Sequence, residues 1–259
     1  MKKFFCKGCG KCCREIKSRD SGKEYPSFSG KGIAITLNEP MLSIFGFEKE
    51  AIEKEADKKN ISVRIVPEQV LFDTRNKKTV ILTYTFSGEM CAFLSNDKKC
   101  TIYENRPVHC RAHPAPVGLR RLSESSGKNP LTFNTKVCDS ELSMHEYNEA
   151  FKGRSIREII KLFAERFGDT FFYKCYFEFL SMQQSLLIRK AIDEKGIKFA
   201  EKGTDMDLLK RRIQKSEKLE LHDYMEFLGF PRPKETTLKG FPAFRDSIKK
   251  MIEKNMQTS

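Results

Sequence analysis

Four cysteines fall within eight residues near the start of the chain, as Cys6-x-x-Cys9-x-x-Cys12-Cys13, and no other stretch limits the possible folds so strongly. Spacing of three residues turns three sulfurs toward one centre on a tight loop, which is how short cysteine runs hold a zinc ion or an iron–sulfur cluster. A centre of that kind needs a full complement of ligands. Five further cysteines are available, at Cys91, Cys100, Cys110, Cys138 and Cys175.

Cys175 separates itself from the others. It lies on one helical stripe with Phe172, Tyr176 and Phe179, where a thiol behaves as a small hydrophobe and belongs to the core. The remaining eight thiols match two four-coordinate sites, or one site with thiols to spare. Cys12 and Cys13 are adjacent, and neighbouring side chains in extended backbone point to opposite sides. Either two centres share the run, or one member of the pair does something else. Spacing favours iron–sulfur chemistry: structural zinc usually uses two separated C-x-x-C or C-x-x-H knuckles, and Cys91, Cys100 and Cys110 lie nine and ten residues apart. Zinc, mononuclear iron, and disulfide or redox use of the thiols stay open alternatives.

Charge follows the cysteines. The formal net charge is +13; residues 1–35 carry nine Lys/Arg against three Asp/Glu, and residues 97–138 carry eight against three. Nearby cations favour thiolate over thiol and offset the negative charge of a thiolate-ligated centre. The competing expectation is a surface for nucleic acid, although no RNA-binding aromatic motif accompanies the basic runs. The amino terminus starts with lysines but Lys7 and Lys11 interrupt any apolar core of a signal peptide. No run is long and apolar enough for a membrane span. A cytoplasmic location is expected, with no membrane partner, and reducing conditions there turn an odd count of nine cysteines toward metal. The oligomeric state is not encoded in any pattern of the chain.

The composition, 39% hydrophobic and 32% charged with 21 Phe and no Trp, is that of a chain that folds. The expected class is α+β, with a cysteine-rich metal-binding half at 1–138 holding a small antiparallel sheet and an all-helical half at 139–259 packed against it. Thr36 with Glu39 forms a capping-box pattern ahead of Pro40, which predicts a helix beginning near Asn38 that Gly46 interrupts. Glu48 to Lys59 predicts a solvated helix. Alternation at Ile61, Val63 and Ile65 and at Val80, Leu82, Tyr84 and Phe86 predicts strands, with a turn at 75–78 between them. A short strand is expected at 131–137. Further capping boxes at Ser143/Glu146 and Ser155/Glu158 open the helical region. A long aromatic helix is expected at about 170–195, and shorter ones after Thr204, at 221–228 and at 244–254. No glycine signature for nucleotide binding is present.

Several polar residues accompany the second cysteine group. His109 and His113 bracket Cys110, as substitute ligands, proton carriers or ordinary loop hydrogen-bonders. Arg106 and Arg111 frame the same loop, where a guanidinium can bond cluster sulfurs, clamp a carboxylate or tie the loop down. Tyr84 and Tyr103 offer hydroxyls within apolar patterns. His145 and His222 sit in helical segments and are expected to be structural.

Phe5-Cys6-x-x-Cys9-Gly10-x-Cys12-Cys13-Arg14, followed by Cys91-Ala-Phe-Leu and by Cys100-Thr-Ile-Tyr-x-x-Arg106-Pro107-x-x-Cys110-Arg111, resembles the CxxCxxCC cysteine-cluster family of zinc- or iron-chelating proteins, also called the YkgJ family. The three blocks keep the family's order and cover roughly the first 115 residues. The resemblance implies that Cys6, Cys9, Cys12, Cys13, Cys91, Cys100 and Cys110 are the metal-binding set; Cys138 is added from the cysteine count. The family includes flagellin lysine N-methylases, which implies a second function: transfer of a methyl group from S-adenosylmethionine to lysine side chains of a protein substrate with help from a [4Fe-4S] cluster. In that case Tyr103 or His109 would assist catalysis. The first expectation is a metalloprotein with one or two iron–sulfur clusters; the third is a zinc-stabilised module binding nucleic acid.

Overall fold

The computed structural model describes residues 10, 13, 32–38, 42–88, 90–113, 115, 149, 152–201, 203–232 and 237–257. The strand expected at 131–137, the capping box at Ser143, and His145 lie outside them. In chain order the elements are β1 (Ile35–Thr36), α1 (Gly46–Lys58), β2 (Ile65–Asp73), β3 (Lys78–Phe86), a 3-10 turn (Tyr103–Asn105), α2 (Val108–Ala112), α3 (Ile156–Phe167), α4 (Asp169–Lys195), α5 (Met206–Lys215), β4 (Lys218–Glu220), α6 (Leu221–Phe227), a 3-10 turn (Leu238–Gly240) and α7 (Phe241–Gln257). The class is α+β. The chain forms two compact units, one of Met1–Glu15, Leu94–Leu180 and Thr236–Ser259, the other of Ile16–Phe93 and Ser181–Glu235. Helix α4 gives its first twelve residues to the former and the rest to the latter.

The second unit is built on a four-stranded sheet in the order β1-β2-β3-β4. Strands β1, β2 and β3 are antiparallel neighbours, but β4 pairs parallel to β3 through Thr79↔Lys218, Val80↔Leu219 and Ile81↔Glu220. The sheet is therefore mixed rather than antiparallel, and the carboxy-terminal half is not all helical. Three residues are too few for a period to show, so only pairing with β3 makes Lys218–Glu220 a strand. Leu71, Val80 and Leu82 of the sheet pack with Ile188 and Ala191 of α4, Ile197, Phe199, and Leu221, Tyr224 and Met225 of α6. The turn after β2 is organised by buried Asp73, whose carboxylate accepts from the backbone N–H groups of Arg75 and Asn76 and from the Tyr224 hydroxyl at 2.8 Å. Such full satisfaction is what makes a buried carboxylate tolerable.

Helix α1 starts at Gly46, not near Asn38. Ile35 and Thr36 pair with Val70 and Gln69, so Thr36 is held by a strand ladder and does not cap a helix. The helix is opened instead by Glu48, whose carboxylate accepts from the Phe45 N–H at 3.0 Å. Its exposed face carries the expected acid–lysine pairs, Glu50–Lys54 and Glu55–Lys58 among them. Strand β2 begins at Ile65, so the alternation at Ile61 and Val63 precedes the ladder rather than joining it.

In the first unit, α3 begins where the Ser155/Glu158 box predicts: Glu158 N–H reaches Ser155 Oγ, and the Glu158 carboxylate accepts from the Ser155 N–H at 2.7 Å. Phe163, Phe167, Phe171 and Phe172 form the aromatic seam that follows. Tyr173 stacks on Phe241 at 3.7 Å between ring centroids, and Tyr176 donates to Thr237 O at 2.6 Å, which fastens α7 to α4. Cys175 is buried within this seam as a core residue. Among the described residues, no helix is long and apolar enough to cross a membrane.

Candidate metal centre

Three of the expected ligands occupy one unit. Cys13, Cys100 and Cys110 are half-buried thiols there, whereas Cys91, also a half-buried thiol, belongs to the other unit just beyond β3. Cys6, Cys9, Cys12 and Cys138 lie outside the described residues. Among the described residues, no three His, Cys, Asp or Glu side chains form a ready metal cage.

Cys100 is held by a compact turn. Leu94 and Cys100 form an antiparallel bridge, and between them Ser95 N–H donates to Lys99 O at 2.9 Å while Lys98 N–H donates to Ser95 O at 2.9 Å. The Ser95 hydroxyl accepts from the Lys99 N–H at 3.1 Å. This follows from a Ser-Asn-Asp sequence, whose short polar side chains bond nearby backbone and so favour turns.

Cys110 is presented by α2, entered through Pro107 in extended backbone. Arg111 secures the approach: its Nε donates to Arg106 O at 2.7 Å, its terminal nitrogens donate to Glu104 O and, at 3.4 Å, to the Tyr173 hydroxyl. Arg106 Nε donates to Tyr103 O at 2.9 Å, and its guanidinium lies 3.6 Å from the centre of the Tyr103 ring. Both arginines thus close the loop on itself. Tyr103 is partly exposed on that loop. Tyr84, by contrast, sits in the other unit on β3 with its hydroxyl donated to Glu220 at 2.7 Å; burial and that carboxylate raise its pKa above the ordinary tyrosine range.

The two histidines beside Cys110 are neutral. Burial, then the nearby Lys174 charge, pushes His109 down to about 3, and its ring packs 5.0 Å from that of Phe177. Burial, then Lys174 and Arg106, push His113 down to about 4. His113 Nε2 is buried with no hydrogen-bond partner among the described residues. His222 is half-buried on α6.

The amino-terminal loop meets the Cys100 turn through a residue that its cysteine pattern does not single out. Gly10 is buried with φ +65°, and a Cβ there would lie 2.5 Å from Lys98 O and 2.6 Å from Leu94 Cδ1. Its carbonyl accepts from the Cys13 N–H at 3.0 Å. The available signal was a glycine directly after Cys9, one of two glycines, with Gly8, in a run otherwise made of lysine and cysteine. Tyr173 and Phe177, which brace α2 from α4, were legible only as helix-stripe aromatics.

These residues fit a thiophilic metal. Thiolates with an orphaned neutral imidazole nitrogen are donors for zinc and for iron alike, and Gly10 lies close against the turn that carries Cys100. The family model CxxCxxCC, described as "Putative zinc- or iron-chelating domain", matches residues 5–139. Neither the curated proteins nor the solved structures yield a match. With just over half its length covered by that model, the chain belongs to the CxxCxxCC family of zinc- or iron-chelating proteins.

Proposed function

We propose that the protein binds an iron–sulfur cluster, with Cys13, Cys100 and Cys110 among its thiolate ligands and with Cys6, Cys9, Cys12 and Cys138, which belong to the same unit in sequence, as the pool for the remainder. The observation that carries this reading is the presence of Cys13, Cys100 and Cys110 as half-buried thiols in one unit. Partial burial limits solvent access while leaving a path for metal entry, and it tunes reduction potential through the local dielectric. The neutral His109 and His113 add no positive charge beside the centre, so cationic compensation falls to Arg106, Arg111 and Lys174. When bound, the cluster would supply electron transfer or a site for anchoring a substrate.

Metal and acid-labile sulfide are to be measured on protein purified without oxygen, for the unaltered chain and for Cys12→Ser and Cys13→Ser separately. Iron with equivalent sulfide, and broad visible absorbance that bleaches on reduction, is the expected result. Colourless protein with stoichiometric zinc overturns the cluster and leaves a zinc centre in its place. Loss of metal in Cys13→Ser but not Cys12→Ser would assign the adjacent pair to different roles. Methyl transfer from labelled S-adenosylmethionine to lysines of an added protein would establish the methylase function that the family resemblance implies.

A further inference from the structure

We propose that Gly10 is a positioning residue that seats the amino-terminal cysteine loop on the Ser95–Lys99 turn before metal arrives, so that Cys13 and Cys100 act as ligands of one centre. The inference rests on the metal-binding reading above and deepens it: it names the contact that brings two of the proposed ligand thiols to one site.

Two independent demands fall on position 10. The backbone stands at φ +65°, in the left-handed region that glycine enters without steric cost. The space for a side chain is already filled, since a Cβ would meet the Lys98 carbonyl oxygen at 2.5 Å and Leu94 Cδ1 at 2.6 Å. The carbonyl is backbone and cannot swing aside as a side-chain end could. The receiving turn is built from its own bonds: Ser95 to Lys99 in both directions, Lys98 to Ser95, and the Leu94–Cys100 bridge. It needs no metal to hold its shape. On the amino-terminal side, the Cys13 N–H donates to Gly10 O at 3.0 Å, which ties the sulfur-bearing residue to the seated glycine. Gly10 and Lys98 are 88 residues apart in sequence. A metal that found these segments separate would have to close that loop itself, whereas a seated glycine removes the cost beforehand and raises affinity through preorganisation.

The test uses the full chain, reduced and freed of metal, with Gly10→Ala beside the unaltered protein. Alkylation by iodoacetamide is followed site by site with mass spectrometry. Cys13 and Cys100 should react at least about tenfold faster in Gly10→Ala, from the strain and clash a Cβ introduces, while Cys175, buried in the same unit, and Cys91, in the other unit, keep their rates. Zinc binding is then measured by chelator competition, and Gly10→Ala should bind the same number of ions about 10- to 100-fold more weakly. A general structural defect would expose Cys175 as well. If Gly10→Ala fails to fold, hydrogen exchange on the metal-free unaltered protein decides instead, since the Cys13 amide should be protected; free exchange there overturns the proposal. Unchanged alkylation at Cys13 and Cys100 in a folded variant overturns it too. Should the unaltered chain bind neither zinc nor iron, the metal-binding reading fails, while the alkylation and exchange results still judge whether Gly10 seats the loop.

Discussion

Glu68→Gln should stabilise the protein at pH 8 and leave it nearly unchanged at pH 4. Glu68 lies where the β2–β3 register shifts between Pro67 and Gln69, and its side chain is 1% exposed. Ser43 Oγ donates to Oε1 at 3.0 Å, but neither Oε2 nor the neighbouring Thr83 hydroxyl has a well-formed hydrogen bond among the described residues. Burial dominates, and it pushes the carboxyl from 4.5 up to about 7 against the opposing pull of Ser43 and Thr83. Between those values the folded state keeps a proton that the unfolded chain has lost. Stability is therefore full below about pH 4.5 and falls as pH rises through about 7, by about 3 kcal/mol from that separation. Glutamine has the same shape without the ionisation, so it escapes the penalty. Urea unfolding of both proteins from pH 4 to 8.5 measures this directly. The curves should separate through the window and reach about 3 kcal/mol in favour of the variant, a large share of the stability of an ordinary domain. Parallel pH profiles would show that the Glu68 carboxyl is solvated or otherwise paired, and would refute the reasoning.

Other substitutions test other contacts. Gly46→Ala pits a gain in helix propensity of up to ~1 kcal/mol against a Cβ placed 2.5 Å from Glu220 Oε2, which would displace the carboxylate that accepts from Tyr84; a net loss of about 1 kcal/mol is expected in thermal unfolding, and a gain would sink the argument. Arg111→Lys keeps the charge but loses the fork that reaches Arg106 O and Glu104 O together, so urea unfolding should show a loss of about 1–2 kcal/mol. Equal stability would mean that the fork contributes little. Cys175→Ser buries a hydroxyl in an aromatic seam and should cost about 1–3 kcal/mol with metal content unaltered, whereas lost metal would return Cys175 to the ligand pool.

Features whose cause is local were legible in the sequence. The Ser155/Glu158 box opens α3 because both partners lie within one turn, and the 3.6-residue stripe through Phe172, Cys175 and Tyr176 is buried as its period requires. The same box pattern at Thr36/Glu39 misled, because pairing of Ile35 and Thr36 with β2 satisfies their backbone in a way that no nearby residue reveals. Strand β4 was hidden for the same reason. Cysteine identity pointed to the chemistry of the centre, but the demand on Gly10 comes from Lys98 and Leu94, which no spacing within the cysteine run encodes.

The parallel pairing of β4 with β3 also sets a schedule for synthesis. Thr79 and its partner Lys218 are 139 residues apart, so at roughly 5–20 residues per second the open side of β3 waits on the order of 10–30 s for its neighbour to be translated. During that interval Val80, Ile81 and Leu82 stand on a bare sheet edge, a template for pairing with other chains. Nascent chains stalled before residue 218 should consequently aggregate or recruit a chaperone, and those stalled once β4 and α6 have left the ribosome should not.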